Sequence, residues 1–169
     1  MKKMLLNIIF MMFISFNAFS IESYMLGIAP VFGYSFINSS VVDDSYHYGV
    51  SVDFTIMDDA ALEVDFLMSN HDVDFGSAST DMDVTTFGFY GAYYMEMIEN
   101  VNLKLKGGIT QTSGDASAGS RYVELEDGIK PSAGVGIDLE LFDNSSGSLE
   151  LVYVSESNAA VSAMYRWFF

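Results

Sequence analysis

Ten charged residues stand singly in stretches where every second residue is apolar: Asp53, Glu63, Asp65, Lys104, Lys106, Lys130, Asp138, Glu140, Glu150 and Arg166. In residues 46–56, "YHYGVSVDFTI", Tyr46, Tyr48, Val50, Val52, Phe54 and Ile56 alternate with His47, Gly49, Ser51, Asp53 and Thr55. A period of two marks a β-strand with two chemically opposite faces. The charges share the polar face with glycine, alanine and serine. On a solvated face they would be ordinary surface groups. Lining a narrow interior, each would need a partner, because a buried unpaired ion is costly. That second case predicts an ion-pair network. Asp53 is its hardest member: across the short turn near Asp58-Asp59 it faces Glu63 or Asp65, and like charges directly opposite each other are unfavourable. Either a lysine reaches that pair, or a proton or cation resides there.

Other chemistries have weaker support. The chain has two histidines. His47 stands beside Ser51 and the acids Asp43 and Asp44, and His71 lies among aspartates. Neither has the spacing of an activated nucleophile. "HDVDFGSASTDMD" gathers Asp72, Asp74, Asp81 and Asp83, but counted from Asp72 Gly76 falls at the fifth position and no glutamate closes the loop, so it does not match a calcium-binding hand. It reads as a solvated acidic loop, with weak divalent binding that bridges to lipopolysaccharide phosphates as the alternative. No zinc pattern or phosphate loop occurs, and no cofactor or metal is expected. Seven bases against 23 acids disfavour nucleic acid, whose binding rests on cationic contacts to phosphate.

The elements that must position these residues are strands. Residues 1–20 read as a signal peptide: Lys2 and Lys3, a short apolar run, then Ala18 and Ser20 at cleavage spacing. The barrel domain would then be 21–169, with five bases against 23 acids and a formal charge of −18. Cysteine is absent, so packing or surroundings must hold the chain together. Eight alternating segments follow, near 24–36, 46–56, 61–68, 85–95, 101–110, 129–141, 149–153 and 159–169. Short connectors near Asp58-Asp59, Glu96–Asn100 and Asp143–Gly147 alternate with longer ones at Asn38–Ser45, Ser69–Asp83 and Gln111–Asp127. The connector near Ser155–Ser157 breaks this trend by being short. "RYVELE" at 121–126 fits either a strand above a bilayer or a loop. Pro30 and Pro131 lie within strands and cannot donate to a ladder, so a bulge or a lost bond is expected at each.

Three arguments turn the apolar face outward. The interior of an eight-stranded barrel is only just filled by side chains, and aromatics at nearly every position would overfill it. The polar face is too rich in glycine and alanine for a water-facing strand. About eleven residues at ~3.3 Å each, tilted ~40°, span roughly 28 Å, which covers the ~25 Å apolar band of an outer membrane. Aromatics also gather towards the strand ends, as at the two interfaces of a membrane. A lipocalin-like barrel with an oily interior is the competing arrangement.

The terminal "AVSAMYRWFF", with Tyr165, Trp167 and Phe169 on one face, resembles the closing strand of bacterial outer-membrane barrels. "GIAPVFGYSF" and "KPSAGVGIDLEL" are similar to the opacity-type and OmpA/OmpX-like eight-stranded barrels. The resemblance spans residues 21–169, although its motifs identify the class better than the subfamily. It implies an all-β, antiparallel, up-and-down transmembrane barrel in the outer membrane. It also implies that Tyr165, Trp167 and Phe169 act as the assembly signal read by the barrel-insertion machinery. The expected partners are outer-membrane lipid and lipopolysaccharide, that machinery, and an unidentified extracellular ligand; the expected state is a monomer. The expected role is structural or surface-interacting, through the acidic loops. The alternatives are a narrow pore and, behind it, an enzyme that modifies lipid A.

Overall fold

The computed structural model describes residues 26–76, 79–118, 121–154 and 158–169. The signal segment, its boundary and the connector near Ser155–Ser157 lie outside the described residues. Eight strands occur in order: β1 Leu26–Ile37, β2 Ser45–Met57, β3 Ala60–Asp74, β4 Ser79–Ile98, β5 Val101–Ala118, β6 Arg121–Phe142, β7 Ser145–Val154 and β8 Asn158–Phe168. Each pairs antiparallel with its neighbour, and β1 with β8, so the sheet closes into a barrel without a crossover.

One end has three tight turns, at Asp58-Asp59, Glu99-Asn100 and Asp143-Asn144. Beside each, the register shifts, at Thr55/Met57, Glu96/Ile98 and Glu140/Phe142. Asn100 adopts a φ of 65°, a left-handed conformation that asparagine tolerates better than most residues. Pro30 interrupts the seam between β1 and β8: pairing stops at Ile28↔Trp167 and resumes in the same register at Val31↔Met164. The result is lost pairing and no bulge. Pro131 pairs with Ile109 of β5, and the ladder from β6 to β7 starts one residue later, at Ser132↔Val154. The β5 register runs unbroken through Pro131, so no bulge arises on that side, and the position opposite it towards β7 lies outside the described residues.

The apolar face of the membrane-length part points out. Phe32 is 63% exposed, Tyr46 77% and Leu149 57%, whereas Ser51, Glu63 and Lys104 inside the barrel are fully buried. A bilayer stabilises this arrangement and water does not. Tyr165 and Trp167 meet edge to face at 4.7 Å on the outer surface of the closing strand.

The other end differs from the sequence reading. Ser69–Asp83 and Gln111–Asp127 are mostly strand, because β3, β4, β5 and β6 continue well past the apolar belt. "RYVELE" belongs to β6. In this extension the alternation persists but its polarity inverts. Val73, Met82, Val84 and Ala116 point inward and bury with Val42, while Asn70, Asp72, Asp74, Asp81, Asp83 and Asp115 point out and are exposed. Water now bathes the outer face, so the ordinary soluble rule applies: apolar side chains inside, carboxylates outside. Loop residues 41–43 join the sheet. Val42 bridges Val73, Asp43 N donates to Asp72 O at 2.9 Å, and Asp74 N donates to Val41 O at 2.8 Å. The barrel therefore carries a small apolar cap above its polar lumen.

Candidate functional site

The lumen below the cap is crossed by a charged plug. Asp53, on β2, lies directly opposite Glu63, on β3, and both point inward. Lys104 and Lys106 reach them from β5 and Arg166 from β8. Lys104 Nζ bonds Glu63 and stands 2.5 Å from Glu150 of β7. Lys106 Nζ is 2.5 Å from Glu63, 3.0 Å from Asp65 and 2.7 Å from the other oxygen of Glu150. Arg166 pairs through Nε with Asp53, and through its terminal nitrogens with Glu63 at 3.5 Å and Asp138 of β6 at 3.2 Å. The aromatic ring of Tyr90 lies 4.4 Å from Lys106 Nζ, adding a cation–π contact. Arg166 supplies the counter-charge that Asp53 required.

Small residues make room for these side chains. A Cβ on Gly27 would lie 2.8 Å from Arg166 Cδ, and one on Gly136 would lie 2.7 Å from Glu150 Cγ. The glycine content of the lumen face thus has a steric cause: the long charged side chains occupy the space that neighbouring side chains would fill.

Eight of the ten charged residues predicted for the lumen converge in this plug: Asp53, Glu63, Asp65, Lys104, Lys106, Asp138, Glu150 and Arg166. Two stand apart. Glu140 is exposed at the rim, where it accepts a hydrogen bond from Asn102 Nδ2 at 3.1 Å. It follows the inward period, but it lies at the register shift beside the turn, where the barrel opens to water. Lys130 is higher, in the wall of an outer cavity of about 160 Å³ that it shares with Thr110, Thr112, Glu124 and Asn158. Its position is more than one turn of the pleat above Lys106, so the two do not belong to one cluster.

The plug holds five carboxylates and three cations, which makes its members unequal. Glu63 meets all three cations, whereas Asp65 meets only Lys106. Glu63→Gln is expected to cost ~3–5 kcal/mol, the penalty for breaking a buried pair from one side. Asp65→Asn is expected to stay within ~1 kcal/mol of wild type, because it relieves part of the surplus of negative charge. Urea midpoints of the two variants in the same lipid vesicles would check the order.

Above the plug both histidines are buried and bonded at each ring nitrogen. His47 bridges Ser35 at 2.8 Å and Ser162 at 2.9 Å. His71 Nδ1 donates to the carbonyl of Asp43 at 2.7 Å, so its Nε2 accepts from the Ser69 hydroxyl at 2.8 Å. These side chains face the lumen. The contact between His71 and Asp43 is not legible in the sequence, because it depends on the bridge formed by Val42. Among the described residues no group of three histidine, aspartate or glutamate side chains is arranged to hold a metal ion.

No protein-family model and no curated protein matches the chain. Solved structures do. The outer membrane protein OprG from Pseudomonas aeruginosa aligns over 87% of this chain and 96% of its own, with 13% identity and a TM-score of 0.66. Neisserial surface protein A aligns over 86% and 97%, with 13% identity and a TM-score of 0.62. Ail, the attachment invasion locus protein of Yersinia pestis, aligns over 88% and 100%, with 11% identity and a TM-score of 0.61. At such identities the likeness establishes architecture alone. In architecture, the chain is a small eight-stranded barrel of the outer-membrane type.

Proposed function

We propose that the chain is an integral outer-membrane barrel with a sealed lumen, and that it presents its acidic extension to the outside as an interaction surface. The observation that carries this reading is the division of charge. Cations pair with carboxylates in the plug, while the outer face of the extension bears Asp72, Asp74, Asp81, Asp83 and Asp115, with Glu124 exposed between that face and the cavity that Lys130 lines. Such a surface attracts cationic partners and steers their approach. Tyr165, Trp167 and Phe169 fit the reading as the C-terminal assembly signal. Trp167 and Phe169 are 43% and 76% exposed on the outer surface, open to the insertion machinery.

The narrow pore is the second reading. The cavity above the plug gives solutes a place to enter, but the ion pairs below leave them no path. Planar-bilayer recording separates the two. The sealed barrel is expected to give no stepwise conductance, and regular unitary steps from the wild-type protein would favour the pore.

A further inference from the structure

The four-stranded extension has two lateral edges, and the protein treats them differently. The edge at β3 is covered by residues 41–43 through the bridge and two backbone hydrogen bonds already described. The edge at β6 is not. Arg121–Leu125 pairs in regular register with Gly114–Ala118 of β5, from Ala118↔Arg121 to Gly114↔Leu125. Pairing with β7 begins only at Ser132, so among the described residues no strand lies on the other side of Arg121–Leu125. An open edge of this kind is a template for one more strand.

We propose that the β6 edge takes up an extended cationic peptide segment by strand addition. This deepens the reading above and rests on it, since the extension must stand outside the membrane to meet such a partner. The side chains specify the chemistry. Tyr122, 59% exposed, and Glu124 point to the outer face, and Val123 between them packs inward against the cap. A strand added here sets alternate side chains beside Tyr122 and Glu124, where lysine or arginine gains a ring face and a carboxylate. Asp115, directly across from Glu124 on β5, adds a second carboxylate on the same face. The residue between the two cations faces Val123 and should be apolar. The pattern recognised is cation, apolar, cation. A second copy of this chain fits poorly, because each carries a formal charge of −16 and would bring one acidic face against another.

The test uses the full-length protein in nanodiscs and a synthetic peptide in which lysine alternates with valine over seven residues. Two controls accompany it, one with glutamate for lysine and one with proline for the central valine. Binding is read by fluorescence anisotropy, and its site by hydrogen exchange. The expected result is saturable binding of the lysine peptide with new amide protection in 121–125. The proline and glutamate peptides should bind at least tenfold more weakly, and Glu124→Lys should weaken the lysine peptide at least fivefold. Three results would each overturn the proposal. One is absence of binding to a barrel that is folded. Another is equal binding of the proline peptide without protection of 121–125, which would mean diffuse electrostatic adsorption. The last is protection of 121–125 in the protein alone together with dimers, which would give the edge to a second copy. None of these depends on conductance, so failure here leaves the sealed-barrel reading to its own test.

Discussion

Replacing Lys104 and Lys106 together with methionine is expected to destabilise the barrel by on the order of 5 kcal/mol or more, the largest effect of any change considered. Methionine roughly preserves the volume of the lysine stem, so packing changes little and the loss is electrostatic. The substitution leaves Glu63, Asp65 and Glu150 buried with Arg166 as the only remaining cation, and Arg166 already serves Asp53 and Asp138. The barrel has two responses. It unfolds at lower urea, or the carboxylates separate, admit water and open a conducting path. Either response appears in paired measurements of the urea midpoint and of bilayer conductance. Adding Glu63→Gln and Glu150→Gln to the same chain should recover part of the loss, because three carboxylates then face one cation, the same surplus of two as in wild type, while Asp65 still lacks Lys106. If the double methionine variant keeps both the wild-type midpoint and the wild-type silence, the plug is not what holds the lumen closed.

The second large effect concerns the cap. Val73→Asp places a carboxylate at a position with no exposure, among Met82, Val84 and Ala116. Its expected cost is ~3–5 kcal/mol, which the extension cannot absorb by local adjustment. The neighbouring Asp72→Val changes an exposed position on the outer face and should fall within ~0.5 kcal/mol. Hydrogen exchange distinguishes a local from a global consequence. Val73→Asp should release amides in 70–74, 79–84 and 114–118 while the membrane-length parts of the strands keep theirs. The contrast between adjacent residues is the signature of a packed cap; a flexible acidic loop would tolerate both changes alike.

How much of this was legible in the sequence differs along the chain. The membrane-length strands could be read because their alternation is chemically extreme: "YHYGVSVDFTI" sets aromatic and β-branched residues against glycine, serine and aspartate. The lumen assignment followed from volume, and the plug charges followed from parity. What parity cannot supply is height. Lys130 and Lys106 share a face direction but lie at different levels of the barrel, and only the register between β5 and β6, Thr110↔Lys130 and Lys106↔Gly134, separates them. Partner choice was also hidden. That Arg166, at the far end of the chain, serves Asp53 depends on closure between β1 and β8. The extension was missed for a different reason. "HDVDF" and "DMDV" alternate as strictly as any strand here, but with valine and methionine in the phase that holds glycine and charge below. A reader searching for one polarity throughout takes the inversion as the end of the strand. It is instead the point where the surrounding medium changes from lipid to water.

That inversion is the centre of the account, and a chain without cysteine allows it to be measured directly. Single cysteines at Val64, Phe66, Asp72, Val73 and Asp74 of β3, each carrying a nitroxide, can be compared for collision with molecular oxygen, which concentrates in lipid, and with a water-soluble nickel chelate. The predicted result is oxygen access at 64 and 66, chelate access at 72 and 74, and neither at 73. Chelate access at 64 and 66 would contradict the membrane face, and chelate access at 73 equal to that at its neighbours would contradict the packed extension.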